Sequence, residues 1–244
     1  REIREFVKTP FYRILGRFAV QGHTFEGEWR ATEGSRYFQS PLLYKENGFK
    51  KREDAVTLCR ILSANQPMEA VIEKLEKKKE NKNPPLLFNL AELQNECSRR
   101  FKLSPDETLK LVQELYEKKL VTYPRTDARV LSTAVAKEIF KNLSGLTYYT
   151  HGGEFAKEIL EGKAYQGLTK TRYVNDKQIT DHYAIIPTGQ GLSALKNLSV
   201  QGEKVYEVIV RRFLSIFYPP AVYQKVSVVS VIDKERFFSS FKVL

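Results

Sequence analysis

Tyr123, Arg125 and Asp127 alternate through the segment TYPRTD, and their types suit phosphate chemistry. A phenol is a weak nucleophile at neutral pH because its ordinary pKa is about 10. A nearby cation favours the phenolate, and a guanidinium can also grip two phosphate oxygens at once. Pro124 restricts Tyr123 to an extended backbone and so fixes the direction of its phenol. Residues two apart in such a backbone project to one side, which places Arg125 and then Asp127 beside Tyr123. Spacing alone favours a plainer arrangement, with Tyr123 packed in a core and Arg125 paired with Asp127 at the surface. His182, ahead of the apolar run AII, reads by itself as a loop or core residue. His23 falls in a turn and His151 beside two glycines. Cys59 and Cys97 stand apart, so no Cys/His spacing suggests zinc and no metal ligands are expected.

The elements that must hold these groups follow from patterning. The chain has 244 residues, 42% of them hydrophobic, which is enough apolar mass for a core and excludes a disordered tail. No apolar run reaches the roughly 18 residues of a membrane span, so no membrane partner is expected. Two cysteines make no disulfide framework. The net charge of +11 points to an acidic partner, most often nucleic acid. Its excess lies at the two ends: +5 over residues 1–84 and +4 over 193–244, against +1 for each of 85–130 and 131–192. The triplet Lys77-Lys78-Lys79 reads as a solvated linker or strand end rather than a phosphate site.

Residues 11–20 are β-prone, Gln21-Gly22-His23 is a turn, and 24–31 alternate with Phe25, Gly27, Trp29 and Ala31 on one face. Ala55, Leu58, Cys59 and Leu62 repeat at helical spacing. Residues 68–78 suit helix and strand alike, and 81–85 break them. Asn89 with Glu92, and Ser104 with Pro105 and Glu107, have the spacing of helix starts. Leu109, Val112 and Leu115 then make an inward stripe. Ser132 caps a helix running through Val135, Ile139 and Leu143, and further helices are expected over 154–160 and 203–217. Pro219-Pro220 ends the last of them, and valine-rich 222–232 and 237–243 read as strands. Strands at both ends and helices between them predict an α+β chain. A discontinuous β-rich domain, 10–82 and 193–244 with the 203–217 helix, encloses an inserted helical domain, 83–192.

The string KLVTYPRTD resembles the active-site segment of type IA DNA topoisomerases, particularly the topoisomerase III branch. The stretches PPLLFNLAELQNECSRRF and SPDETLKLVQELYE resemble that family upstream of the tyrosine. DHYAIIPT resembles its DHHAIIPT downstream, and REIREFVKTPFYRI and VYEVIVRRFLSIFYPPA fit its central region. The resemblance covers nearly the whole chain. It implies that Tyr123 forms a 5′-phosphotyrosine link to DNA, that Arg125 contacts the scissile phosphate, and that His182 assists by hydrogen bonding. Gln113, Thr122 and Asp127 become candidate DNA-binding residues. Ala128 replaces the usual serine and Tyr183 the second histidine, which removes a hydroxyl and an imidazole.

The same resemblance implies a toroidal parent whose β-rich arch swings a winged-helix-like, tyrosine-bearing domain open. The hinges are expected at 77–85 and 188–197. It implies single-stranded DNA as the substrate, without ATP. It also implies Mg²⁺ in the parent enzyme, with ligands in a Toprim domain outside this chain. Arg1 opens the sequence and Met68 is its only methionine, so an excised piece is expected, with Toprim upstream of it and unable by itself to relax supercoils. The expected location is the cytoplasm, with the nucleoid. Two other classes fit parts of the pattern. One is a winged-helix DNA-binding module using 104–118 as a recognition helix. The other is a tyrosine recombinase, which needs dispersed Arg and His residues around a late tyrosine.

Overall fold

The computed structural model describes residues 9–64 and 68–243, so the opening REIREFVK of the family resemblance lies outside the described residues. Two compact units emerge, Arg1–Lys82 with Ala221–Leu244, and Asn83–Pro220.

The first unit is built on an antiparallel sheet. Its strands are β1 (Leu15–Val20), β2 (His23–Arg30), β5 (Val71–Lys82), β6 (Ala221–Ile232) and β7 (Glu235–Val243), in the order β1-β2-β7-β6-β5. A small ribbon of β3 (Leu43–Lys45) and β4 (Gly48–Phe49) and one helix, α1 (Arg52–Leu62), complete it. The alternation read in β2 holds: Gly27, Trp29 and Ala31 are buried and Glu26 is exposed. Trp29 stacks on Phe49 with ring centroids 5.0 Å apart. Its indole Nε1 donates to the Glu235 carboxylate at 2.7 Å. That carboxylate is fully buried and also accepts from Ser35 Oγ at 2.6 Å and from the Arg36 amide at 2.9 Å. Three donors satisfy a charge that is otherwise costly to bury.

The second unit is helical: α2 (Leu90–Phe101), α3 (Pro105–Glu117), α4 (Thr133–Lys137), α5 (Ile139–Leu146), α6 (Gly153–Glu161) and α7 (Val200–Ser215). The caps form as their spacing predicts. Asn89 accepts from the Glu92 amide, and Ser104 and Glu107 close a reciprocal capping box. Glu107 is held below the usual carboxylate range by the Ser104 backbone N–H. From α3, Val112 and Leu115 enter a core that also takes Leu87, Leu143, Tyr206, Ile209 and Phe213. Fully burying each such side chain contributes about 1.5–3 kcal/mol. Burial pushes the Cys97 thiol up to about 11 and the Tyr149 phenol up to about 12.

Several expectations are corrected. The last helix, α7, packs against α2 and α3 and belongs to the helical unit, not to the β-rich half. An apolar stripe declares that a helix is amphipathic, not which partner it meets. The chain therefore returns to the β-rich unit after Pro220, not over 188–197. Residues 77–82 are no linker: they pair with β6 through Lys82↔Ala221. Backbone pairing overrides the low β-propensity of lysine and glutamate there. The helix opened by Ser132 is interrupted at Glu138, which both ends α4 and precedes α5. In α1 the buried stripe is Ala55, Leu58 and Leu62, while Cys59 is exposed.

Candidate active site

Helix α3 ends at Lys118, and Lys119 takes a left-handed backbone with φ 61°. The chain leaves as an extended segment whose side chains alternate. Pro124, Thr126, Ala128 and Val130 are buried, while Arg125 and Asp127 are exposed and Tyr123 is half-buried. Ala128 thus turns inward.

A second segment runs alongside. The Thr122 amide donates to the Ile186 carbonyl at 3.0 Å. The Thr122 hydroxyl donates to the Ala184 carbonyl and accepts from the Ile186 amide, each at 3.0 Å. Thr126 Oγ1 donates to the His182 carbonyl at 2.9 Å and accepts from the Ala128 amide at 3.1 Å. The Thr188 amide donates to Leu120 at 3.0 Å, and the Ile185 amide to Phe88 at 2.8 Å. Two threonine hydroxyls therefore lock the tyrosine segment to the histidine segment. Gly189 (φ 76°) lets the second segment turn against α5, since a Cβ there would stand 2.5 Å from the Asn142 carbonyl. Gly191 (φ 69°) does the same against the end of α3, where a Cβ would stand 2.4 Å from the Lys118 carbonyl.

The result is an open pocket of about 510 Å³ whose wall includes Tyr116, Thr122, Tyr123, His182, Tyr183 and Gln190. The Tyr123 ring meets two others. His182 is tilted against it with centroids 4.4 Å apart, and Tyr116 meets it edge-on at 5.4 Å. Tyr183 is a half-buried wall of the pocket, and burial pushes its phenol up.

Of the residues singled out from sequence, Tyr123, His182 and Thr122 meet at this pocket. Arg125 does not line it. Its side chain makes no hydrogen bond or ion pair among the described residues, so the surface pairing with Asp127 does not form and the guanidinium is free to take an anion. Asp127 is exposed, and its backbone carbonyl accepts from Asn89 Nδ2 at 3.1 Å. Gln113 lies outside the pocket, its amide donating to Glu117 on α3 at 3.2 Å. Sequence reasoning missed Tyr116, Thr126 and Gln190. Tyr116 carried one signal: it stands one step off the buried stripe of α3, on the turn nearest the tyrosine exit. Among the described residues no three His, Cys, Asp or Glu side chains gather to hold a metal ion.

The whole chain, residues 1–244, matches the family model described as DNA topoisomerase. DNA topoisomerase 3 of Bacillus subtilis strain 168 is 33% identical over 245 residues, spanning all of this chain and 30% of its own length. DNA topoisomerase 1 of Alkalihalophilus pseudofirmus is 30% identical over 249 residues, again over all of this chain and 32% of its own. Among solved structures, full-length topoisomerase I from Thermotoga maritima superposes with a TM-score of 0.62 at 24% identity. It covers 99% of this chain and 35% of that one, a likeness of fold. The chain spans about 30% of the length of the Bacillus subtilis relative.

Proposed function

Since the chain belongs to the DNA topoisomerase family over its whole length, we propose that it carries the strand-breaking tyrosine of a type IA enzyme acting on single-stranded DNA. One observation carries this reading: the Tyr123 ring opens onto a pocket with His182 set against it at 4.4 Å. The phenolate oxygen of Tyr123 attacks a backbone phosphorus. A new O–P bond forms to the 5′ phosphate as the bond to the 3′ oxygen breaks, and that oxygen leaves as a hydroxyl after taking a proton. Resealing runs the same exchange backwards. One ester replaces another, so no ATP is consumed. Arg125, unpaired and on the same side of its strand as Tyr123, holds the non-bridging oxygens as charge builds on them. His182 donates a hydrogen bond at the pocket. Thr122 and Thr126 act through backbone, fixing the two segments. Gln113 and Asp127 serve as outlying DNA contacts.

Mg²⁺, which the family resemblance implies, has no fitting ligand set among the described residues. Its acids belong to a Toprim domain elsewhere in the parent protein, and the steps assigned to this chain use its own side chains. The helical unit is the tyrosine-bearing, winged-helix-like domain of a toroid and the sheet unit its arch, with hinges at the crossings 82–83 and 220–221. The protein works in the cytoplasm, with the nucleoid.

The test mixes the full-length protein carrying this chain with end-labelled single-stranded DNA and traps any covalent complex. Capture on the 5′ side of the break, abolished by Tyr123→Phe, is expected. Capture surviving that substitution refutes the assignment. Sequence-selective duplex binding with no capture in either protein establishes the DNA-binding module instead.

A further inference from the structure

The register of the sheet changes the meaning of the lysine triplet. Lys78 on β5 lies directly opposite Lys225 on β6, and Lys225 directly opposite Lys242 on β7. Three ammonium groups thus form a row across three neighbouring strands on one face. Lys77 and Lys79 turn to the other face, where Lys77 faces Val226 and, beyond it, Phe241. Like charges directly opposite in a sheet are destabilising, so such a row calls for a reason.

Neighbours on the same face answer part of the charge. Glu80 binds Lys242 at 2.8 Å, and Glu76 binds Lys74 at 2.8 Å and Lys78 at 3.7 Å. The Lys242 contact holds Glu80 below the usual carboxylate range, with Lys225 and Lys82 acting on it as well. Lys74, Lys78, Lys82, Lys225 and Lys242 set against Glu76 and Glu80 leave three positive charges unbalanced. Lysines on an edge strand such as β5 guard against strand addition. That explanation does not reach Lys225, which sits between two partners on the central strand of the three.

We propose that this face of the sheet, centred on Lys78, Lys225 and Lys242, is a docking surface for the phosphate backbone of duplex DNA, separate from the tyrosine pocket. The occupant follows from the chemistry beside the row. The rows next to it carry Glu76, Ser227 and Ser240 on one side and Glu80 with half-buried Tyr223 on the other. Among the described residues of these rows no exposed aromatic offers unpaired bases a platform, as single-strand binders require. A duplex presents the denser line of phosphates and needs no such platform. The inference rests on the reading that this chain works on DNA, but not on the identity of its nucleophile.

The test measures binding of the 244-residue chain to a labelled 30-base-pair duplex and to a 30-nucleotide strand between about 50 and 200 mM salt. The triple variant Lys78→Gln, Lys225→Gln, Lys242→Gln is expected to lower the duplex salt slope by about 2.7, at about 0.9 for each phosphate no longer neutralised. Over that salt range the original chain then loses about 40-fold more affinity than the variant. The corresponding triple arginine variant keeps the original slope, and the glutamine variant melts no lower than the original chain. If the triple variant fails to fold, each single glutamine variant lowers the slope by about 0.9 instead. An unchanged slope overturns the proposal and leaves the nucleophile assignment standing, because covalent capture by Tyr123 tests that separately. A triple variant that lowers the single-strand salt slope while leaving the duplex slope unchanged overturns the choice of partner.

Discussion

Replacing Thr122 by valine separates the geometry of the site from its chemistry. Valine keeps the shape and removes one hydroxyl. That hydroxyl serves two backbone groups, the Ala184 carbonyl and the Ile186 amide, each at 3.0 Å, and both residues are fully buried. Each stranded group costs about 1–3 kcal/mol, so Thr122→Val is expected to destabilise the helical unit by about 2–6 kcal/mol. Thr122→Ser keeps both bonds and loses one methyl, about 1 kcal/mol. At about 2–4 °C per kcal/mol, the valine variant melts roughly 4–24 °C lower when followed by helical circular dichroism. Amide exchange gives the residue-level readout: the Ile186 N–H is protected in the parent and in the serine variant, and exposed in the valine variant. Serine and valine variants melting together, or an Ile186 amide equally protected in both, refute the claim that this hydroxyl clamps the two segments.

Other expectations rest on separate features. Arg125→Gln in the full-length protein lowers strand cleavage by about 100-fold or more, the scale for losing one donor to a developing oxyanion, and single-turnover gel assays measure it. Tyr116→Leu removes the edge-on ring beside Tyr123, while Tyr116→Phe keeps it; cleavage slowed in the first and preserved in the second shows that the ring rather than the hydroxyl positions the nucleophile. Glu235→Ala strands three donors in the sheet unit and destabilises it by about 3–9 kcal/mol, read from the fluorescence of Trp29, the only tryptophan. Cys97, pushed up to about 11, and Tyr149, pushed up to about 12, both hold their protons more tightly folded than unfolded. Stability of the helical unit is therefore full below about pH 9 and falls as pH rises through 11 to 12, which denaturant titrations at several pH values check. In the folded protein at about pH 8, a thiol reagent labels exposed Cys59 and spares buried Cys97.

Local grammar made much of this fold legible. The capping residues Asn89, Ser104 and Ser132, the proline at Tyr123 and the alternation around Trp29 are each set by a few neighbouring side chains, and each forms as its pattern says. The α+β class followed from their order. What failed were statements about distant partners. Helix α7 displays its stripe without naming α2 and α3, and the charged end of β5, 77–82, reads as linker or strand end until β6 is known to lie beside it. The site shows the same division. Tyr123 with Arg125 raised phosphate chemistry, but spacing alone favoured a packed tyrosine and a surface ion pair, and it took the family resemblance to single out either Tyr123 or His182. Nothing local says that two threonine hydroxyls will bring its segment across. Tyr116 went unnoticed because a residue one step off a buried stripe looks like ordinary surface.

Strands β5 and β6 meet in unbroken register from Lys82↔Ala221 to Lys74↔Val229, yet the entire helical unit is threaded between them. During synthesis β5 must wait, its lysine-rich edge bare, while the inserted helices are made. If those helices condense first, the two ends of the insertion are delivered side by side and the entropic toll of closing so long a loop has already been met. The order of assembly is then written into the topology: helices first, sheet zipped last. A lesion that delays the helices, such as loss of the Ser104 cap, should appear in refolding experiments as slow burial of Phe237 and its neighbours in the other unit.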